Sequence, residues 1–175
     1  MTTTATDTAT ETTMEVVLDQ GAHKHLTFLR RATGWEVHTF PGGFLVRRFD
    51  GCDFVFVNGA DDIVASMAFT EGDPVYWADK LTAGDARSWN YVSFAEWLLD
   101  EAHHELDLDY AEIDELLRTA DLSTERRSRE VLADDFEGLA FPDSTIDLYY
   151  SWDDRFLSSL HAARQGLALY ADRQH

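Results

Sequence analysis

From Met14 to Asn58 apolar and polar side chains alternate in short runs, and because successive strand residues face opposite ways, the pattern predicts half-buried antiparallel strands. Five runs carry it: MEVVLD at 14–19, KHLTFLR at 24–30, WEVHTF at 35–40, FLVRRF at 44–49 and DFVFV at 53–57. Pro41-Gly42-Gly43 and Asp50-Gly51 between them are turn chemistry, supplying a fixed φ or tolerating a positive one. The period then changes. Ile63, Val64, Met67 and Ala68 fall at helical spacing behind Asp61 and Asp62, which predicts a short helix over 61–69. Thr70 to Tyr91 reads as a long connection in which only WADKL looks helical. Beyond it Ser93 is expected to cap a helix over 93–106 with Phe94, Leu98, Ala102 and Leu106 as its apolar stripe. Tyr110, Ile113, Leu116 and Leu117 predict a second helix over 110–119. Ser123 is expected to cap a third reaching about 137, with Val131, Leu132 and Phe136 inward and Gly138 as its stop. Ser144 and Asp147 form a capping box ahead of Tyr149, Trp152, Phe156, Leu160, Ala163, Leu167 and Tyr170, a stripe expected to lie against the sheet. Strands first and helices afterwards predict an α+β fold: an antiparallel meander of about five strands followed by a layer of four to five helices.

Residues 1–13, MTTTATDTATETT, lack apolar periodicity and read as a disordered tail, leaving 14–175 as one domain. With 45% hydrophobic and 13% aromatic residues the remainder can bury a core, and no apolar run is long enough for a bilayer. Cys52 is the only cysteine, so no internal disulfide can form. With no apolar stretch after a basic start, the expected compartment is the cytoplasm.

Charge changes the picture more than composition does. The net charge is −19, with 9 acids and 5 bases in residues 1–70 against 24 acids and 9 bases in 71–175. So anionic a chain is repelled by phosphates and anionic lipid, which argues against direct binding to nucleic acid or membranes. Glu96, Asp100, Glu101, Glu105, Asp107, Asp109, Glu112, Asp114 and Glu115 crowd two predicted helices, with no Lys or Arg from Ser88 to Leu117. An acidic proteome adapted to salt would produce such a face for solubility alone. The sharper expectation is a docking surface for a basic protein, since a row of carboxylates imitates a phosphate backbone. Trp77, Trp89, Tyr91 and Trp97, near the long connection, are expected to form either a lid over the core or an aromatic contact patch.

Several segments together resemble a family of uncharacterised proteins from tailed bacteriophages, prophages and actinobacterial genomes. The matching pieces are KHLTF at 24–28, TFPGGFLV at 39–46, YWADKL at 76–81 and LHAARQGLALYAD at 160–172. They correspond in order to an HLRF-like strand, a TWPG turn, a YWx[DE]KL segment and a final aromatic helix. Where that family shows GDMG, this chain carries DGCD at 50–53. The resemblance implies an accessory protein of mobile elements and supplies no catalytic residues.

Catalytic constellations are sparse. His23 and His25 lie two apart on a predicted strand and so share a face, a geometry open to two metal ligands or to a plain structural role. Glu101 and His104 form one Glu-x-x-His unit, but His161 has no acid three residues before it to complete a di-metal pair. Asp107, Asp109 and Asp114 lack the glycine and ligand spacing of a calcium loop. Cys52 with His38 is the nucleophilic candidate, although a small packing role suits the cysteine equally. Gly42, Gly43 and Gly59 build no phosphate cradle, so no cofactor is implied. The leading expectation is therefore a non-enzymatic interaction protein that inhibits a host or element-encoded nucleic-acid-binding or defence protein by charge mimicry. The alternatives are a metal-dependent hydrolase using His23, His25, His104 and nearby carboxylates, which predicts bound metal, and a virion or assembly component, which predicts homo-oligomers.

Overall fold

The computed structural model describes residues 12–30, 33–51, 53–106, 108–139 and 149–174. The fold is α+β, as the pattern predicts. Strands β1 (Thr12–Gln20), β2 (His23–Arg30), β3 (Thr33–Phe40), β4 (Gly43–Arg48) and β5 (Asp53–Val57) follow one another across an antiparallel sheet in chain order. Helices α1 (Ile63–Thr70) and α2 (Pro74–Ala78) then lead to a sixth strand, β6 (Leu81–Ala83), which pairs with β5. The pattern did not predict β6, whose three residues are too few to show alternation. The remaining elements are β7 (Arg87–Trp89), α3 (Tyr91–Leu106), α4 (Tyr110–Thr119), α5 (Glu125–Asp135), β8 (Tyr150–Trp152) and α6 (Asp154–Asp172).

Residue contacts divide the chain into two compact units, the first made of residues 1–86 and 153–175 and the second of 87–152. In the first unit, Leu26, Phe28, Val37, Phe44, Val46, Phe54 and Phe56 are buried on one face of the sheet. Helix α6 packs on β3 and β4 and against α1 and α2, burying Phe156, Leu160, Ala163, Leu167 and Tyr170 as its spacing predicts. Fully burying a large apolar side chain contributes about 1.5–3 kcal/mol, so this layer is the main source of the unit's stability. The β3–β4 turn depends on Gly42, whose φ of 81° is open to few other residues and whose carbonyl accepts from the N–H groups of Asn58 and Gly59 at 2.9 Å. Thr12, expected in the tail, instead pairs with Arg30 in β1 and is buried; residues 1–11 lie outside the described residues.

In the second unit, β7 and β8 form a two-stranded antiparallel ribbon, and α3, α4 and α5 enclose Phe94, Leu98, Ala102, Ile113, Leu122, Leu132, Phe136 and Tyr149. The helix starts differ from the predicted ones by a few residues. Asn90 rather than Ser93 caps α3, its Oδ1 accepting from the Ser93 N–H at 3.3 Å, and Thr124 rather than Ser123 caps α5. The last helix begins later than the stripe suggests. Tyr150 and Trp152 pair with Trp89 and Arg87 in β8, and Asp153 caps α6 by accepting from the N–H groups of Arg155 and Phe156. Aromatic residues suit strands as well as helices, and the two satisfied N–H groups fix the helix start at Asp154. The capping box at Ser144 and Asp147 lies outside the described residues. No helix of the described residues is long and apolar enough to cross a membrane.

Candidate functional site

The acidic residues singled out from sequence belong to α3, α4 and the segment joining them. In α3, Phe94, Leu98 and Ala102 face the core, which turns Glu96 and Asp100 outward. Glu105 is exposed and Glu101 half-buried. In α4 only Ile113 is buried, while Asp109, Glu112, Asp114 and Glu115 are exposed. Asp109 is partly occupied as the N-cap, accepting from the Ala111 N–H at 2.8 Å. Asp107 lies outside the described residues. His103 locks the α3–α4 corner, with Nδ1 2.8 Å from the Leu108 carbonyl and its ring stacked on Tyr110 at 3.8 Å.

Compensation of these carboxylates is slight. Asp100 pairs with His104 at 3.4 Å, and Glu115 pairs with Arg118. Glu96, Glu101, Glu105, Asp109, Glu112 and Asp114 have no cationic partner among the described residues. The second unit contains five bases; Arg118 meets Glu115, and the other four are engaged elsewhere. Arg126, Arg127 and Arg129 pair with Glu130, Asp121 and Glu125 around α5, and Arg87 lies over the Trp152 ring at 5.0 Å. Glu125 also accepts from the Tyr150 hydroxyl at 2.6 Å, which pushes that phenol up to about 12; burial adds to the shift.

The four aromatic residues do not assemble as one contact patch. Trp77 is fully buried in the first unit, edge-on to Phe44 and Phe56, with Nε1 donating to Thr70 Oγ1 at 3.0 Å. Trp89 and Trp97 pack against the core of the second unit, and Trp89 Nε1 donates to the Leu122 carbonyl at 3.1 Å. Of the four only Tyr91 is exposed, whereas the three indoles, large rings with one polar atom, are half or wholly buried.

The histidines are arranged otherwise than the predicted set. His104 is on α3 beside Asp100, His161 is exposed on α6, and His23 is exposed on β2 opposite Gln20. His25 instead meets two residues of β3. It pairs across the strands with His38, and Thr27 pairs with Glu36, so all three side chains project from the face opposite the core. The imidazoles of His25 and His38 stack with centroids 3.9 Å apart. Glu36 Oε2 is 3.2 Å from His38 Nε2, and Oε1 is 3.7 Å from His25 Nε2. This trio is the one group of three metal-ligating side chains within mutual reach among the described residues. Sequence reasoning singled out His25 with His23 and His38 with Cys52 but missed Glu36; the signal that could have found it is the i, i+2 spacing of Glu36 and His38 on one strand. Cys52, the proposed nucleophile beside His38, lies outside the described residues.

A cleft of about 390 Å³ opens near one end of β3 and β4, where Arg30, Trp35, Arg48, Ser158, His161 and Gln165 line it. Arg48 is committed to Asp50 at 2.7 Å and to the Ser158 hydroxyl. The buried Trp35 Nε1 has no hydrogen-bond partner among the described residues.

Comparison with known proteins brings no assignment: no family model, no curated protein and no solved structure matches the chain.

Proposed function

We propose that the chain is a non-enzymatic binding protein that docks a basic partner on the acidic helices α3 and α4, covering a surface the partner otherwise uses for nucleic acid. The observation supporting this reading is the distribution of the arginines. The second unit holds 17 acids against 5 bases, and its bases are engaged around α5, at Glu115 and on Trp152. Carboxylates at i, i+4, such as Glu101 and Glu105, repel by a few tenths of a kcal/mol per pair. Their accumulation therefore costs stability, and a complementary surface of Arg and Lys removes that cost while steering encounter. The resemblance to phage-type accessory proteins supplies the partner class, a host or element-encoded protein.

The test uses the full chain, immobilised at low salt. Recovered proteins are remade, and their Kd is measured against wild type and against a Glu101→Gln/Glu105→Gln/Glu112→Gln/Asp114→Asn variant. The reading expects a partner whose affinity falls at least tenfold with the variant, weakens as salt rises, and competes with that partner's DNA or RNA. A partner bound equally well by the neutralised variant, or one whose nucleic acid binds alongside the chain, overturns it.

A further inference from the structure

We infer that His25, His38 and Glu36 form a binding site for one divalent first-row transition ion of the zinc type, on the open face of the sheet in the first unit. The inference is independent of the acidic helices. It starts from spacing. Zinc holds imidazole nitrogens and carboxylate oxygens at about 2.0–2.2 Å, which sets the edges of a tetrahedral donor set at about 3.3 Å. The two carboxylate–imidazole separations are 3.2 and 3.7 Å, and all three donor atoms lie within 4.8 Å of one another. The rings are stacked 23° from parallel, so ion binding requires both imidazoles to rotate about their Cβ–Cγ bonds until their in-plane Nε2 lone pairs converge.

A second observation points the same way. His25 Nε2 is buried and has no hydrogen-bond partner among the described residues, with the nearest carboxylate oxygen beyond hydrogen-bond reach at 3.7 Å. A simple His38–Glu36 hydrogen bond leaves that nitrogen unsatisfied, whereas an ion between the three groups satisfies it. The surroundings suit such an ion. Leu18 pairs with His25 on one side and Leu45 with His38 on the other, so aliphatic side chains flank the imidazoles along the row. Two imidazoles and one carboxylate select zinc, nickel or copper over magnesium and calcium, which prefer oxygen throughout. The three side chains remain 25%, 34% and 23% exposed, so water reaches the site.

The experiment strips the full chain with chelator and titrates it with Zn²⁺ against a chromophoric competitor, with Co²⁺ as spectroscopic probe. One equivalent is expected to bind, and the Co²⁺ form is expected to show the strong visible absorption of a four-coordinate site. His25→Ala, His38→Ala and Glu36→Gln should each weaken binding at least about tenfold, since even changes behind the ligands cost that much. His23→Ala and His104→Ala should leave it unchanged. Metal-free melting temperatures identify any variant that is unfolded, and the isosteric Glu36→Gln then carries the comparison. Absence of stoichiometric binding overturns the inference. So does binding that survives both His25→Ala and His38→Ala, or binding that is lost in His104→Ala.

Discussion

Replacing Gly166 by alanine tests how tightly α6 is seated on the sheet. A Cβ built there meets Phe28 ring carbons at 2.6 and 2.7 Å. Ordinary carbon–carbon contacts lie at about 3.5–4.0 Å, so either the ring or the helix must yield by roughly an ångström. Phe28 has little room, being fully buried and stacked on Trp35 with centroids 5.3 Å apart. The helix is held on both sides of Gly166 by buried Ala163, Leu167 and Tyr170. Overpacking of this kind costs about 1–3 kcal/mol. Against it stands the gain of about 1 kcal/mol from alanine over glycine in a helix interior. The net expectation is a loss of about 1 kcal/mol, read as a fall of about 2–4 °C in the melting temperature of a chain this size. Urea and thermal unfolding of the full chain measure it. In a Phe28→Leu background the clash shrinks, and the alanine should cost less by about 1 kcal/mol, a coupling that a double-mutant cycle isolates. A Gly166→Ala protein as stable as wild type, or a penalty unchanged in the leucine background, refutes the packing argument.

Two further predictions concern titration. The Arg155 guanidinium, with the N–H groups of Arg155 and Phe156, holds the buried Asp153 carboxyl below its ordinary value. A carboxyl lowered on folding contributes stability above its unfolded pKa of about 3.9 and loses it as pH falls through the folded value, so melting temperature should drop below about pH 4. Asp153→Asn should flatten that drop, and Asp153→Ala should cost about 0.5–2 kcal/mol at neutral pH through loss of the α6 cap. A pH profile with an equal acid limb in Asp153→Asn would sink the assignment. Tyr150, pushed up to about 12 by its hydrogen bond to Glu125, should ionise late in an absorbance titration of the folded chain. Glu125→Gln should return it towards about 10, whereas an unmoved titration would show that Glu125 is not its cause.

The strands of the meander were legible because alternation and turn glycines report local geometry. Their observed ends fall within two residues of the predicted ones, and α4 spans 110–119 as read. What escaped depends on partners distant in sequence. β7 and β8 have three residues each, and Arg87 finds Trp152 only after the helices of the second unit have intervened. The division into two units is equally silent, since both strand segments and helices on either side of it carry ordinary amphipathic patterns. Exposure of the acidic residues was legible for the opposite reason, that unpaired carboxylates are excluded from cores whatever the fold.

The histidine–glutamate trio lies between these cases, because each half of it was legible and the joint was not. Side-chain period two places His23 with His25, and Glu36 with His38, on common faces, but only register can bring His25 to His38. That register follows from burial. Leu26 faces Val37 and Phe28 faces Trp35, and all four are buried on the core side. Sliding β3 by one residue would set the half-buried Glu36 and His38 against that core and turn Val37 and Trp35 to solvent, so the apolar face forbids it. The alignment that satisfies the core therefore turns His25, Glu36 and His38 to the other face, where the observed register sets His25 opposite His38 and Glu36 opposite Thr27. Removing core contacts at Val37 or Leu26 should loosen the imidazole pair without any change to the histidines themselves.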